Sequence, residues 1–470
     1  MKCRILVMVF CSFSFGQVVD IPDPNFRNHL VANFDTNGDG QINQAEASAV
    51  HGQLNCISLE IEDLTGIEAF VNISGLRCDI NSITSLPDLS ALTNLTYLNC
   101  GYNRLTSLPD LPSLTTLTNL NCRGNQLTSL PDLSALTNLT DLNCGHNRLT
   151  SLPDLSSLTA LTNLNCRNNQ LTSLPELSSL TNLVFLDCQY NQLTSLPDPS
   201  GLINLTGLDC SFNELVSLPV LSGLTNLQEL RISGNQLTSL PDLSALINLT
   251  DLWAYFNQLT SLPDISMLTN LTDLSVGSNR LTSLPDLSTL TEIDWLDVGD
   301  NQLTSLPDLS TLTKLWKLYC SYNELTSLPS LLNQNRLDVL ACGYNQLTSL
   351  PDLSAVSGLS YLLCESNQLT ELPDLSAFLS MSWLNCSSNQ LTSMPQLPSF
   401  SSLSRLDIHY NYLENDSCET IIDLEGRGVQ VNLDPQGDTY LTEWPNETNI
   451  FQWVSAVNNG GFIIYELDCP

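Results

Sequence analysis

The sequence predicts a solenoid of the α/β type, in which short parallel strands stack into one sheet and the opposite side is mostly irregular. A 22-residue unit repeats: residues 95–116 read LTYLNCGYNRLTSLPDLPSLTT and residues 117–138 read LTNLNCRGNQLTSLPDLSALTN. The asparagine at the ninth place recurs every 22 residues from Asn81 to Asn411, in sixteen copies. A unit this small cannot bury its own apolar edge, so neighbouring units must stack.

Each unit has the pattern of one short strand followed by an extended return. Apolar residues occupy places 1, 4, 6, 11, 14, 17 and 20, as in residues 95–116. Places 4 and 6 lie on one side of a strand, and places 3, 5 and 7 lie on the other. The proline at place 15, as in Pro109, does not allow a regular helix there. The amide of the place-9 Asn both donates and accepts, so we expect it to satisfy buried backbone groups.

The pattern LxxLxCxxNxLTSLPxLSxLTN resembles the leucine-rich repeat, in the 22-residue form of internalin-like bacterial surface proteins. With the irregular unit 51–72, seventeen units cover residues 51 to about 415. The resemblance implies a right-handed horseshoe whose concave parallel sheet binds a partner, most often a protein. Fold alone does not give function. The sequence has no GxSxG, HExxH or glycine-rich phosphate loop, and its histidines are scattered, so we expect no enzymatic activity. The alternative is a glycan-active surface protein that uses paired carboxylates of the concave side.

Four segments follow from these patterns. Residues 1–16 read as a secretory signal, with a basic start, an apolar run and a small-residue end. We therefore expect an exported protein, secreted or on the cell surface, without a membrane span. Residues 17–50 form a short helical N-terminal cap with a calcium loop, residues 51–415 form the array, and residues 416–470 form a C-terminal cap and tail that begins with a helix and a strand.

Residues 35–46, DTNGDGQINQAE, match the EF-hand calcium loop. The loop follows a helical pattern that begins at Pro24, and single loops of this EF-hand or dockerin-like kind precede such repeats in the exported bacterial proteins that the chain resembles. We expect one structural Ca²⁺ that fixes the N-terminal cap, and the alternative is a polar turn without an ion. The ligands would be the side-chain oxygens of Asp35, Asn37 and Asp39, the backbone carbonyl of Gln41 and the bidentate carboxylate of Glu46. Asn43 would contribute through a water molecule.

The net charge indicates which partners the chain can bind, and the positions of the cysteines indicate which disulfides it can form. The formal net charge of −34 repels nucleic acid and anionic lipid and favours basic partners. Twelve of the sixteen cysteines stand at place 6, where other units carry Ile, Val or Ala, so we expect buried free thiols. Cys3 and Cys11 lie in the predicted signal. Cys418 and Cys469 remain, and they either form a disulfide that closes the C-terminal segment or stay free.

Large aromatic residues with interspersed acids on the concave side indicate a recognition surface. A protein segment, basic or hydroxyl-rich, is the first candidate ligand, and a polysaccharide stacked on tryptophan is the second. Aromatic residues at place 8 indicate local packing, and the acids at place 16 indicate solvated turns. We expect a monomer. The predicted ligand-binding residues at places 3, 5 and 7 are Phe185, Asp187, Asp209, Trp253, Tyr255, Asp273, Trp295, Asp297, Tyr319, Tyr361 and Trp383.

Overall fold

A computed structural model describes residues 16–394, 397, 402–413 and 417–433 of the chain. The chain divides into two compact units, residues 1–193 and residues 194–470. The predicted signal, apart from its last residue, lies outside the described residues, as does Cys469. The side chain of Cys418 is also not described, so the predicted disulfide stays a prediction.

Each repeat from residue 95 onward contributes one three-residue strand that begins at its third place, whereas the strands of the two preceding repeats are longer and begin earlier. In the first unit the strands are β1 (Gly52–Asn55), β2 (Ile73–Arg77), β3 (Tyr97–Asn99), β4 (Asn119–Asn121), β5 (Asp141–Asn143), β6 (Asn163–Asn165) and β7 (Phe185–Asp187). In the second unit they are β8 (Gly207–Asp209), β9 (Glu229–Arg231), β10 (Asp251–Trp253), β11 (Asp273–Ser275), β12 (Trp295–Asp297), β13 (Lys317–Tyr319), β14 (Val339–Ala341), β15 (Tyr361–Leu363), β16 (Trp383–Asn385), β17 (Arg405–Asp407) and β18 (Gln430–Asn432).

Neighbouring strands pair in parallel, and residues at the same place of the repeat face each other. Leu252, Leu274 and Leu296, for example, are register partners on β10, β11 and β12. The predicted parallel solenoid is therefore confirmed in both units. In the coil of residues 227–248, all seven apolar places are buried, with exposed fractions between 0% and 9%. The predicted core positions are confirmed.

The place-9 asparagines connect neighbouring coils through their side chains. Asn235 donates its Nδ2 to the carbonyls of Cys210, Ile232 and Ser233 at 3.1, 3.0 and 3.3 Å. Its Oδ1 accepts the amide of Leu215 at 3.0 Å. The expected role of this column is confirmed, because each side chain satisfies backbone groups of two coils. The same inter-coil donation occurs at Asn81, Asn103, Asn125, Asn147, Asn169, Asn191, Asn257, Asn279, Asn301, Asn323, Asn345, Asn367, Asn389 and Asn411.

The N-terminal cap consists of helix α1 (Pro24–Phe34), a loop, helix α2 (Gln44–Ala49) and, after β1, a 3₁₀ turn at Ile67–Ala69. Asp23 caps α1, since its Oδ1 accepts the amides of Asn25 and Phe26 at 2.9 Å. Its Oδ2 accepts amides of the first coil, from Glu62 at 2.8 Å and Asp63 at 3.2 Å. One buried carboxylate therefore attaches the cap helix to the array.

The far end of the second unit carries its own cap. Helix α3 (Cys418–Gly426) precedes β18, and β18 adds to β17 in parallel with Val431 opposite Leu406. Ile421 and Leu424 of the helix are each 2% exposed. The helix followed by a strand that the sequence predicts here is confirmed.

The cysteines at place 6 are buried and free. All twelve have reduced thiols inside the core. Burial raises the pKa of the Cys56, Cys100 and Cys320 thiols to about 12. Since the thiolate is the reactive form, these side chains behave as small apolar residues.

Replacing a place-9 asparagine should destabilise the coil stack. We expect Asn235→Ala to lower the free energy of unfolding by about 1–3 kcal/mol, because it leaves buried carbonyls and the Leu215 amide without a partner. Urea unfolding measures the loss. Gln236→Ala, at the exposed neighbouring place, should change stability by less than about 0.5 kcal/mol. Equal effects of the two substitutions would contradict the stabilising role of the place-9 asparagine column.

The burial of the thiols can be tested by alkylation. At pH 8 we expect iodoacetamide to leave all twelve place-6 cysteines unmodified in the native protein, because they are inaccessible and protonated. The same cysteines should be modified in urea. Peptide mass spectrometry reads each site separately, and labelling of any place-6 cysteine in the native state would show that its coil opens.

Candidate functional site

The strands present one face to the core and the other to solvent. Leu296 of β12 is fully buried, whereas its neighbours Trp295 and Asp297 are partly exposed. This alternation follows from the two-residue period of a strand. We call the solvent side, formed by places 3, 5 and 7, the open face.

A pocket of about 300 Å³ lies over β11 on the open face of the second unit. β11 supplies Asp273 and Ser275, β10 supplies Trp253, and β12 supplies Trp295. Ser275 is the register partner of Trp253, and Asp273 is the register partner of Trp295. The pocket exists because these two short side chains separate two tryptophans. Its complete lining is Trp253, Tyr255, Asp273, Ser275, Trp295 and Asp297.

A second cleft of about 350 Å³ adjoins the pocket and shares three of its side chains, those of Tyr255, Trp295 and Asp297. Tyr319 of β13 adds another ring, 5.6 Å from that of Trp295. Glycines at place 7 leave the space open, and Gly299 is one of them. The structure thus brings six of the predicted ligand-binding residues together: Trp253, Tyr255, Asp273, Trp295, Asp297 and Tyr319.

The pocket is acidic and poorly solvated. Burial raises the pKa of Asp297, although the amide of Gly299 and the hydroxyl of Ser275, each at 3.1 Å, partly oppose the shift. Burial also raises the pKa of Asp273. A hydrogen bond from Thr272 opposes this shift, and the neighbouring carboxylates of Asp251 and Asp294 add to it. In the part of the chain that the structure describes, neither Asp273 nor Asp297 forms an ion pair with Lys, Arg or His.

Each tryptophan of the open face has a cation as its register partner. The guanidinium of Arg231 lies 4.6 Å from the ring of Trp253, and the ammonium of Lys317 lies 4.5 Å from that of Trp295. Arg405 lies 4.6 Å from the ring of Trp383. These pairs are absent from the sequence prediction, although they could have been predicted. The two residues of each pair stand 22 positions apart, at the same place of the repeat.

The arrangement around Trp383 is complete within the chain. Its Nε1 donates to Asp407 at 2.7 Å, and the Nε of Arg405 donates to the same carboxylate at 2.7 Å. Burial alone would raise the pKa of Asp407, but the bonds from Arg405, Asn432 and Trp383 outweigh it and lower the pKa. A tryptophan, a cation and an acid therefore form one satisfied group.

Two of the predicted ligand-binding acids are not available to a partner. Asp187 and Asp209 are 3% and 7% exposed, which corrects the expectation that they face the ligand. Asp187 accepts a bond from Asn165 at 2.9 Å, and Asp209 accepts the amide of Ser211, two residues on, at 3.0 Å. Asp297 at the same place also accepts the amide two residues on, from Gly299 at 3.1 Å, but its side chain stays partly exposed. Phe185 lies partly exposed on β7 of the first unit, Tyr361 is 38% exposed on β15, and Trp383 forms the separate group on β16.

Place 8 holds the backbone in a left-handed conformation in every regular unit. Its φ is 50° at Tyr102 and 57° at Tyr322. Only glycine adopts this conformation without steric cost, and Gly124 and Gly234 fill the place in two units. Some place-8 rings also contact each other, as Tyr322 and Tyr344 do at 4.1 Å in a stacked pair, yet these two rings are 54% and 43% exposed.

The acidic column at place 16 forms local turns. Asp132 is typical: its Oδ1 accepts the amide of Ser134 at 2.9 Å, and its Oδ2 accepts the hydroxyl of the same serine. These bonds lower the pKa of Asp132, which is fully exposed. The acid thus shapes the return segment of the coil.

The predicted calcium loop is held by hydrogen bonds from its own backbone. Asp35 accepts the amides of Gly38 and Gly40 at 2.7 and 2.8 Å. Asn37 and Asp39 each accept the amide two residues on, at 2.8 and 2.9 Å. The loop therefore curls around the side-chain oxygens of its first, third and fifth places.

Glu46 closes the loop from α2. It accepts the amides of Thr36 and Asn43 at 2.9 and 3.0 Å and the hydroxyl of Thr36 at 2.9 Å. Burial alone would raise the pKa of Glu46, but these bonds lower it. The pKa of Asp35 is also lowered, chiefly by the hydrogen bond from the amide of Gly40. Among the described residues, no three His, Cys, Asp or Glu side chains are grouped so as to hold a metal. The donor set itself suits a hard cation, since it consists of ionised carboxylate, amide and carbonyl oxygens.

Comparison with protein families gives one match, to "Leucine Rich repeats (2 copies)". It covers residues 71–113, 115–157, 159–201, 203–245 and 247–289. A comparison with curated proteins gives no match. None of the helices that the structure describes has the length and hydropathy needed to cross a membrane.

Solved structures give strong matches. The functional domain of InlJ from Listeria monocytogenes, which includes a cysteine ladder, is 31% identical with a TM-score of 0.70, over 84% of this chain and 82% of that one. The leucine-rich effector protein YopM of Yersinia pestis is 30% identical with a TM-score of 0.63, over 77% and 94%. A leucine-rich repeat protein of Leptospira interrogans is 26% identical with a TM-score of 0.61, over 83% and 97%.

Proposed function

Because the chain belongs to the leucine-rich repeat family, we propose that it is a non-catalytic recognition protein that binds a protein partner on the open face of its second unit. The observation that carries the proposal is the pocket over β11 with its adjoining cleft. Partly exposed tryptophan and tyrosine side chains that surround a recess are typical of the residues that contribute most to protein interfaces. The resemblance to leucine-rich repeat proteins implies an interface on this side of the sheet.

The charge of the chain supports a partner with basic residues. The net charge of −34 attracts a basic surface over a distance and accelerates its association. Close to the face, Asp273 and Asp297 are the acids that the pocket presents. The polysaccharide that the sequence offers as the second ligand gains less from this charge, because a neutral sugar carries no cation to pair with Asp273 and Asp297.

We further propose that the protein is exported by its N-terminal signal and that loop 35–46 binds one Ca²⁺ in the N-terminal cap. Asp35, Asn37, Asp39, the carbonyl of Gln41 and Glu46 would hold the ion. A bound Ca²⁺ supplies positive charge that joins these oxygens across the loop. The role is structural, because the loop connects α1 to α2, and Asp23 at the start of α1 is bonded to the first coil.

Removing the tryptophans of the pocket should abolish recognition. The assay incubates three immobilised proteins with an extract of the native surroundings. They are the wild type, the double variant Trp253→Ala with Trp295→Ala, and the control Trp316→Ala. Trp316 is 42% exposed and lies outside the pocket. We expect a protein that the wild type and the control retain and the double variant loses, with affinity reduced by at least roughly 30-fold, because each buried ring contributes at the level of an interface hot spot.

The same assay separates the alternatives. Equal retention by all three proteins would show that the partner binds elsewhere. Saturable binding of a polysaccharide from a glycan panel, lost in the double variant and without retained protein, would favour the second ligand. Circular dichroism of each variant checks that the array is folded.

Calcium removal should destabilise the N-terminal cap. At 10 mM Ca²⁺ and a Kd in the range of extracellular modules, we expect the ion to contribute about 1–3 kcal/mol, which a chelator removes. Thermal unfolding with and without EDTA measures the shift. Asp35→Asn with Asp39→Asn should abolish the response, while Asp132→Asn at place 16 should leave it intact. An unchanged melting temperature in saturating EDTA would contradict the site.

A further inference from the structure

The open face of the second unit builds a recurring group of three side chains: a tryptophan, a cation and an acid. Around Trp383, Arg405 covers the ring and bonds to Asp407 at 2.7 Å. Around Trp253, Arg231 covers the ring and pairs with Glu229 at 2.9 Å. In both groups the cation lies on the ring and also satisfies a carboxylate.

The pocket over β11 contains the same components except the cation. Trp253 and Trp295 form its sides, and Asp273 and Asp297 supply two carboxylates. Arg231 and Lys317 are register partners of the tryptophans on the strands away from β11, and neither lines the pocket. Within the described residues no other basic side chain pairs with these two acids.

One further atom of the pocket residues has no partner. The Nε1 of Trp295 is buried and donates to no acceptor among the described residues, whereas the Nε1 of Trp383 donates to Asp407. A buried donor without an acceptor is unfavourable. Within the described part of the chain, Asp273 and Asp297 accept hydrogen bonds from neighbouring residues but have no cation, unlike Asp407 beside Trp383.

We propose that this pocket receives a single lysine or arginine side chain of the protein partner. This inference rests on the proposed function, in which the partner binds the open face of the second unit. The basic head group would lie between the tryptophans and bond to Asp273 and Asp297, as Arg405 does with Trp383 and Asp407.

The charge of the pocket selects a basic side chain. A neutral polar side chain carries no cation to pair with the two carboxylates. The volume of about 300 Å³ is at the small end of ligand pockets, which suits one side chain rather than a secondary-structure element. Cations bind most strongly over tryptophan when they are desolvated.

The test uses full-length protein with ¹⁵N-labelled tryptophan indoles and four probes. These are acetyl-Gly-Lys-Gly-amide, the same peptides with Arg or Gln, and butylamine. We expect the Lys or Arg peptide to shift the Trp295 indole signal, assigned with Trp295→Phe, in a saturable way and to leave the Trp383 signal unchanged. The Gln peptide should cause no shift, and butylamine should cause one, because it carries the same charge as the lysine head group.

Two variants locate the binding. Ser275→Leu fills the floor of the pocket with a side chain that place 5 already carries at Leu363, and it should abolish the shift. Asp297→Asn should weaken binding at least 10-fold. Asn143→Leu, the same change at place 5 of the first unit, should bind as the wild type does. Equal shifts by the Lys, Arg and Gln peptides, or unaltered binding to Ser275→Leu, would overturn the proposal.

Failure of this inference can be told from failure of the proposed function. If Ser275→Leu retains the partner protein with wild-type affinity while Trp253→Ala with Trp295→Ala loses it, the open face is the interface but no basic side chain enters the pocket. If the double variant also retains the partner, the proposed function itself fails. Binding of an amino sugar in place of the peptides would overturn the choice of ligand.

Discussion

The structure depends on how a coil without helices satisfies its buried backbone. Only three residues of a typical repeat pair as a strand, so most of the coil needs other partners for its amides and carbonyls. Backbone bonds between coils, such as the one from the amide of Gln236 to the carbonyl of Leu215, supply many of them. The place-9 asparagine satisfies further groups through its side chain, as Asn235 does with the carbonyls of Cys210 and Ile232 and the amide of Leu215. Because each side chain bonds to two coils at once, a repeat one residue longer or shorter would break several bonds together. The 22-residue step is accordingly constant from Asn81 to Asn411.

The constant step fixes which residues become neighbours on the open face. Identical places pair across strands, so any two residues 22 positions apart on a strand are side by side. The core fixes places 4 and 6, which leaves places 3, 5 and 7 free to vary. The pocket is the product of one such local sequence, with tryptophan at place 5 of β10, short side chains on β11 and tryptophan at place 3 of β12.

This geometry explains what the sequence could predict. The period alone gives the parallel solenoid, the buried leucines and the burial of the thiols, because all three depend only on which side of a strand a place occupies. It could also have given the pairs of Trp253 with Arg231 and Trp295 with Lys317, since both follow from the 22-residue offset. It could not give the burial of Asp187 and Asp209. That depends on whether a carboxylate turns to the backbone or to solvent, which is a matter of side-chain conformation and of the neighbouring strands.

The distribution of the few cations then decides what the face can attract. The chain has 15 basic residues against 49 acidic ones, so the general field draws cations toward every surface. On the open face, however, Arg231 and Lys317 flank the pocket, while Asp273 and Asp297 lie at its centre. An approaching cation is repelled at both sides and attracted between them, where burial weakens the screening by solvent. The result is a point of attraction over β11 rather than a uniformly acidic sheet, which is the electrostatic basis for the proposed insertion of one basic side chain.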